Sequence, residues 1–154
     1  MLLWIHLAAT GLYLGTTAGL AAFALPSAAR AETPRTRRRR LARVLRAYDP
    51  IAIGLLGVMV MTGAWTITGY KETLGEAYFE TFGRQLVWKL GLAFLVVMSG
   101  TYVAMGLGHR IVREEDWGDE VDEGKLGGMV SRLRGAAWIT IAVTLATVVF
   151  SIVK

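Results

Sequence analysis

Four apolar stretches of this chain, 2–28, 51–69, 86–107 and 136–153, each reach the length at which a helix crosses a bilayer. A hydrocarbon core of ~30 Å takes roughly 20 residues at about 1.5 Å per residue. Transmembrane strands do not fit, because a barrel strand alternates over about 10 residues whereas these runs are continuously apolar. With 54% of its 154 residues hydrophobic, the chain is too apolar for an ordinary soluble domain of this length. The expected fold is all-α: a single domain forming an integral membrane four-helix bundle.

The residues "ALPSAARAET" offer the small-residue pattern of a signal-peptidase site. No basic residue precedes the apolar run, however, and a processed chain would begin beside "RTRRRR", so the first stretch is expected to stay as a helix. Orientation follows from the loops. Segment 30–49 carries Arg30, Arg35, Arg37, Arg38, Arg39, Arg40, Arg43 and Arg46, and segment 109–134 carries Arg110, Arg113, Lys125, Arg132 and Arg134. The other side holds only Lys71, Arg84 and Lys154, so the positive-inside bias places both termini outside and both charged loops in the cytoplasm, in a multi-pass protein of the cytoplasmic (inner) membrane.

The net charge of +5 comes from the arginine loop, and a basic cluster beside a membrane helix suits anionic headgroups, at about 1 kcal/mol per charge. Lipid headgroups along Arg37–Arg46 are therefore the expected partner, and nucleic acid is not. Leu41, Val44, Leu45 and Tyr48 fall at helical spacing, which predicts a short interfacial helix leading into Pro50. The second loop, "REEDWGDEVDEGKLGG", sets Glu114, Glu115, Asp116, Asp119, Glu120, Asp122 and Glu123 around one tryptophan. It lacks the alternating ligands and closing glutamate of a calcium loop. It reads either as a solvated loop or as a segment docked on the arginine arm or on a partner. With no cysteine, disulfides and thiolate metal sites are excluded.

Helix faces narrow the choice further. At about 100° per residue, His6, Thr10, Tyr13 and Thr17 share one face of the first helix, and Gly11, Gly15 and Gly19 form a small-residue ridge nearly opposite. A polar stripe and a glycine ridge both ask for protein neighbours, which points to a homodimer or a larger membrane complex. Thr140, Thr144, Thr147 and Ser151 line the fourth helix and read as packing hydroxyls. Thr62, Trp65, Thr66, Thr68 and Tyr70 gather at the outer end of the second, where the aromatics read as interface anchors. Met59 and Met61 are thioethers of the kind Cu(I) favours, but they sit about 200° apart on a helix.

Lys89 breaks the third stretch. Counted from the ends of the apolar runs, His6 and Lys89 both lie ~8 to 9 Å deep in one leaflet and could line one pocket. His109 closes the third stretch at the opposite side, so the two histidines cannot ligate one iron within the chain. Each of these residues also has a plain structural reading. Lys89 can snorkel to the headgroups beside Arg84, His6 can be an interfacial histidine bonded to a carbonyl, and His109 can be a cation at a helix C-terminus.

"WIHLAATGLYLGTTAGLAAFALPSA" together with "FGRQLVWKLGLAF" resembles the CopD-type copper-resistance membrane domain, and more distantly the HemJ-type protoporphyrinogen oxidases. The resemblance implies that His6 is the axial ligand of a b-type haem, or part of a copper site, and that Lys89 is its charged partner. Thr10, Tyr13 and Trp88 would then shape the pocket. Three functions stay open: a cofactor-binding protein of electron transfer or metal handling, a cofactor-free structural subunit of a larger complex, and a porphyrinogen oxidase. No residue is assigned as catalytic. Paired broken helices, the usual sign of a transporter, are missing.

Overall fold

The second and third apolar stretches are the middles of longer helices, the first is almost a whole helix, and the described part of the fourth is the C-terminal part of one. The computed structural model describes residues 1–75, 77–118, 120 and 122–152; Glu76, Asp119, Val121, Val153 and Lys154 lie outside the described residues. Helix α1 runs Leu2–Gly19, widens through a π-helical turn at Leu20–Ala24 and closes as Leu25–Ala29. Helix α2 spans Pro34–Leu74. Helix α3 comprises Ala77–Thr101, a second π-helical segment at Tyr102–Gly108 and a last stretch, His109–Asp116. Helix α4 is Glu123–Ile152. Among the described residues there is no strand, and four helices are long and apolar enough to cross a membrane.

Helix α1 packs on α2 and α4, and α3 packs on the same two, so α1 and α3 stand across the bundle from each other. The short connections make neighbours antiparallel. Both chain ends therefore come to one end of the bundle, the terminal end, and the arginines of α2 to the other, the arginine end. Large apolar side chains including Leu12, Phe23, Met61, Phe94 and Val149 point outward, as lipid-facing residues do.

The 41 residues of α2 make a rod of ~62 Å, twice the hydrocarbon thickness. Its start is set by Thr33, whose hydroxyl oxygen accepts from the Thr36 amide at 3.2 Å, and by Pro34 in the first turn. Leu41, Leu45, Tyr48, Ala52 and Leu56 recur at helical spacing and are all buried, in a core shared with Leu25, Val103, Leu107 and Ile111. Burying each leucine outside the bilayer stabilises the helix by about 1.5–3 kcal/mol, enough to carry it through Pro50, which lacks the amide for the Arg46 carbonyl. The interfacial helix expected before Pro50 is thus continuous with the membrane helix. At the other end Gly75 adopts φ +56° with its amide on the Lys71 carbonyl at 2.9 Å, and α2 stops.

The acidic segment is docked on the arginine arm through its two helical ends, Glu114–Asp116 and the turn that begins at Glu123, while Trp117, Gly118, Glu120 and Asp122 between them are exposed and Asp119 lies outside the described residues. Arg38 meets Glu115 at 2.7 Å with side chains only 5% and 19% exposed, Arg46 pairs with Asp116, and Arg37 lies 3.8 Å from Glu123. Glu114 takes Lys125 at 2.8 Å and Arg110 at 3.4 Å. The Arg113 guanidinium sits 5.0 Å from the Trp117 ring centre.

In the middle of the bundle α1 and α3 meet at Gly100. A Cβ there would overlap the Tyr13 hydroxyl and come within 2.9 Å of Leu56 Cδ1, so only glycine lets the three helices close. The hydroxyls of α4 bond the preceding turn, Thr140 to the Ala136 carbonyl at 2.9 Å and Thr144 to that of Thr140 at 2.7 Å, and contribute packing only.

Two substitutions test this arrangement by unfolding in detergent. Gly100→Ala is expected to cost about 1–3 kcal/mol through overpacking, whereas Gly15→Ala, with open space around it, stays within about 0.5 kcal/mol; equal effects would remove the close approach. Arg38→Met is expected to cost about 3 kcal/mol or more by leaving Glu115 buried and unpaired, and a loss below about 1 kcal/mol would place that pair in solvent.

Candidate functional site

The polar stripe of α1 turns toward the bundle interior: Thr10, Tyr13 and Thr17 are buried and His6 is half-buried. Helix α2 faces it. His6 Nδ1 lies 2.9 Å from Thr62 Oγ1, and the Thr62 hydroxyl lies 2.6 Å from the Val58 carbonyl of its own helix and 3.2 Å from that of Met59. A threonine hydroxyl has one proton, and here it goes to the backbone, so toward His6 the oxygen is an acceptor. That assigns the imidazole proton to Nδ1 and the lone pair to Nε2, which has no hydrogen-bond partner among the described residues. The ring lies beside Gly63, where an added Cβ would stand 3.5 Å from Cε1. Thr10 donates to the His6 carbonyl at 2.8 Å and is spent on its own helix.

Farther along the stripe, Thr17 and the Tyr48 hydroxyl are 3.1 Å apart in the buried interior. The Tyr13 hydroxyl and Asp49 Oδ1 are buried with no hydrogen-bond partner. Asp49 lies where a Cβ on Gly108 would come within 2.7 Å of Oδ1 and 3.1 Å of Oδ2, beside the π-helical segment of α3.

Lys89 does not join this group. Tyr13, Leu56 and Gly100 fix the register, and from that level His6 lies seven residues toward the terminal end, Thr62 six and Lys89 eleven. Lys89 is therefore about one turn, ~6 Å, nearer the terminal end than His6. It is half-buried, on the helix across the bundle from α1, and no hydrogen bond or ion pair engages it among the described residues. The equal depth expected from the apolar runs does not hold, because α3 begins well before its apolar stretch. Trp88, next to it, is 63% exposed and faces outward, away from His6. His109 is exposed at the arginine end. Met59 packs against the core while Met61 is exposed, so the two thioethers diverge as the helical spacing predicts. Among the described residues no three His, Asp or Glu side chains gather into a group that could hold a metal ion.

Thr62 and Gly63 are the neighbours of His6 that sequence reasoning passed over. The signal was available: Thr62 lies about as far from the outer end of the second apolar stretch as His6 does from that of the first. Tyr48 belongs by its spacing to the interfacial segment before Pro50, and nothing in that spacing gives its bond to Thr17 or the burial of Asp49 Oδ1.

No protein-family model, curated protein or solved structure matches this chain.

The tautomer can be checked by nitrogen NMR of histidine-labelled protein. His6 is expected as a single Nδ1–H tautomer in the wild type and in Thr62→Ser, and as a mixture in Thr62→Val; an unchanged Thr62→Val spectrum would break the assignment.

Proposed function

We propose that this chain is a multi-pass protein of the cytoplasmic (inner) membrane that holds a redox cofactor near the outer face, a b-type haem in preference to copper, with His6 as its protein ligand. The observation that carries this is the hydrogen bond from His6 Nδ1 to Thr62, which leaves Nε2 with its lone pair uncommitted. Imidazoles that bind metal use one nitrogen and hold the other in such a bond, which fixes the ring and raises its basicity. Of the other residues expected there, Lys89 lies a turn farther out and across the bundle, a cation with no protein partner among the described residues, and Tyr13 lies two turns deeper on the same stripe. Bound there, the iron would supply one-electron transfer at a potential tuned by its ligand and its burial.

Copper is the weaker choice because Met59 and Met61 do not converge and His6 has no second soft or imidazole ligand beside it. The likeness to CopD-type domains supports the same reading. A porphyrinogen oxidase would need a substrate site for which no residue stands out. The orientation rests on the positive-inside bias, with the exposed Arg35, Arg39, Arg40 and Arg43 against anionic headgroups on the cytoplasmic side.

A second reading, a structural subunit or homodimer, is favoured by one observation. A Cβ at Gly11, Gly15 or Gly19 would meet nothing within 4 Å among the described residues, so no helix packs closely on the ridge there.

Optical spectra of the purified protein, oxidised and reduced, separate the two. A Soret band with reduced α and β bands in the wild type, lost in His6→Ala and kept in Gly15→Leu, is the expected outcome. Spectra without haem bands, metal analysis without copper, and a loss of assembly in Gly15→Leu alone would favour the subunit.

A further inference from the structure

At the arginine end a cleft of about 590 Å³ opens between the α1–α2 corner and one face of α4. Its α4 wall is a single helical stripe, Gly127, Val130, Ser131, Arg134, Gly135 and Trp138, and the corner contributes Ala29 and Arg37. Two guanidinium groups, one hydroxyl and one indole thus surround a space made roomy by two glycines, and the volume is that of a small-ligand site.

The charges in this cleft are not used up by the protein. Among the described residues Arg37 Nε is buried without a hydrogen-bond partner, and the one carboxylate within ion-pair distance of this arginine, Glu123, reaches Nη1 at 3.8 Å with a side chain 66% exposed. Arg134 is exposed and engages no carboxylate among the described residues. Arg38, Arg46, Arg110 and Lys125 are paired with the acidic segment, whereas Arg35, Arg39, Arg40 and Arg43 stand exposed outside the cleft. A buried guanidinium nitrogen without an acceptor, in a cleft that a second guanidinium also lines, fits a phosphate oxygen.

The level of the cleft selects the source of that phosphate. Arg134 lies just outside the apolar stretch of α4, and Trp138, one turn farther in, is 46% exposed at the place where indoles mark the membrane interface. A ligand whose phosphate sits between Arg37 and Arg134 has apolar surface directly beside it, continuing into the bilayer. We infer that this cleft is a binding site for one anionic glycerophospholipid, its phosphate between Arg37 and Arg134 with Ser131 as an additional donor and its glycerol end against Trp138. The site is distinct from the diffuse attraction of headgroups to Arg39, Arg40 and Arg43, and independent of any cofactor at His6.

The whole protein in detergent, titrated with phosphatidylglycerol and followed by native mass spectrometry, tests this. One lipid is expected to bind more tightly than all later ones, and Arg37→Gln with Arg134→Gln is expected to weaken that first event on the order of 30-fold, about fivefold per charge. Arg39→Gln with Arg43→Gln, which removes equal charge from the exposed face, should leave it within about threefold. Gly135→Leu keeps every charge and fills the cleft; a Cβ there meets nothing within 4 Å, so the fold has room for it, and the first lipid should still be lost. Equal losses in the two arginine pairs, or phosphatidylcholine bound as tightly, would overturn the site. Displacement of the lipid by millimolar inorganic phosphate would overturn the lipid as ligand and leave a phosphate site.

Discussion

The closure of three helices at Gly100 governs what every other residue in the bundle can reach. Helices across a bundle from each other ordinarily stay apart; here a missing side chain on α3 lets the Tyr13 hydroxyl of α1 and the Leu56 methyl of α2 meet at one level. In lipid, where apolar surface gains nothing by leaving its surroundings, such close packing is a principal source of helix association. Once this level is fixed, the rise of about 1.5 Å per residue sets the depth of everything above and below it. His6 comes opposite Thr62 and Lys89 rides a turn higher.

The spans were legible because hydrocarbon imposes a length and a composition that few other environments ask for. Their ends were not. Outside the bilayer, hydropathy stops reporting on helices, and whether 34–50 continues as one depends on what Leu41 and Leu45 pack against. Pro50 marks a boundary in sequence terms, but its local penalty is smaller than the burial on either side of it. The acidic segment reads two ways from the sequence for a related reason: a block of like charge is normally solvated, and its complement lies far away in the chain, Arg38 and Glu115 being 77 positions apart.

The site was legible as a stripe on one helix and illegible as a set of contacts. Periodicity places His6, Thr10, Tyr13 and Thr17 on a common face, and three of the four are buried there. It does not say which neighbour that face meets, nor that Thr62, whose hydroxyl donates to its own helix as that of Thr10 does, would also accept from the imidazole. Trp88 and Lys89 show the same limit on α3. Adjacent residues point about 100° apart, so a pocket that includes one has little claim on the other.

Because α2 is a single helix, the hydroxyl that orients His6 and the guanidinium groups that hold the acidic segment sit on one continuous rod. Arg38 and Thr62 are 24 residues apart on it, ~36 Å along the axis. Pro50, the proline inside this helix, lies midway, twelve residues from each, and the hydrogen bond it lacks makes it the point of lowest bending stiffness. A tilt of the charged end relative to the bilayer therefore pivots there, next to Tyr48 and its bond to Thr17, and reaches the imidazole as a displacement of its hydrogen-bond acceptor.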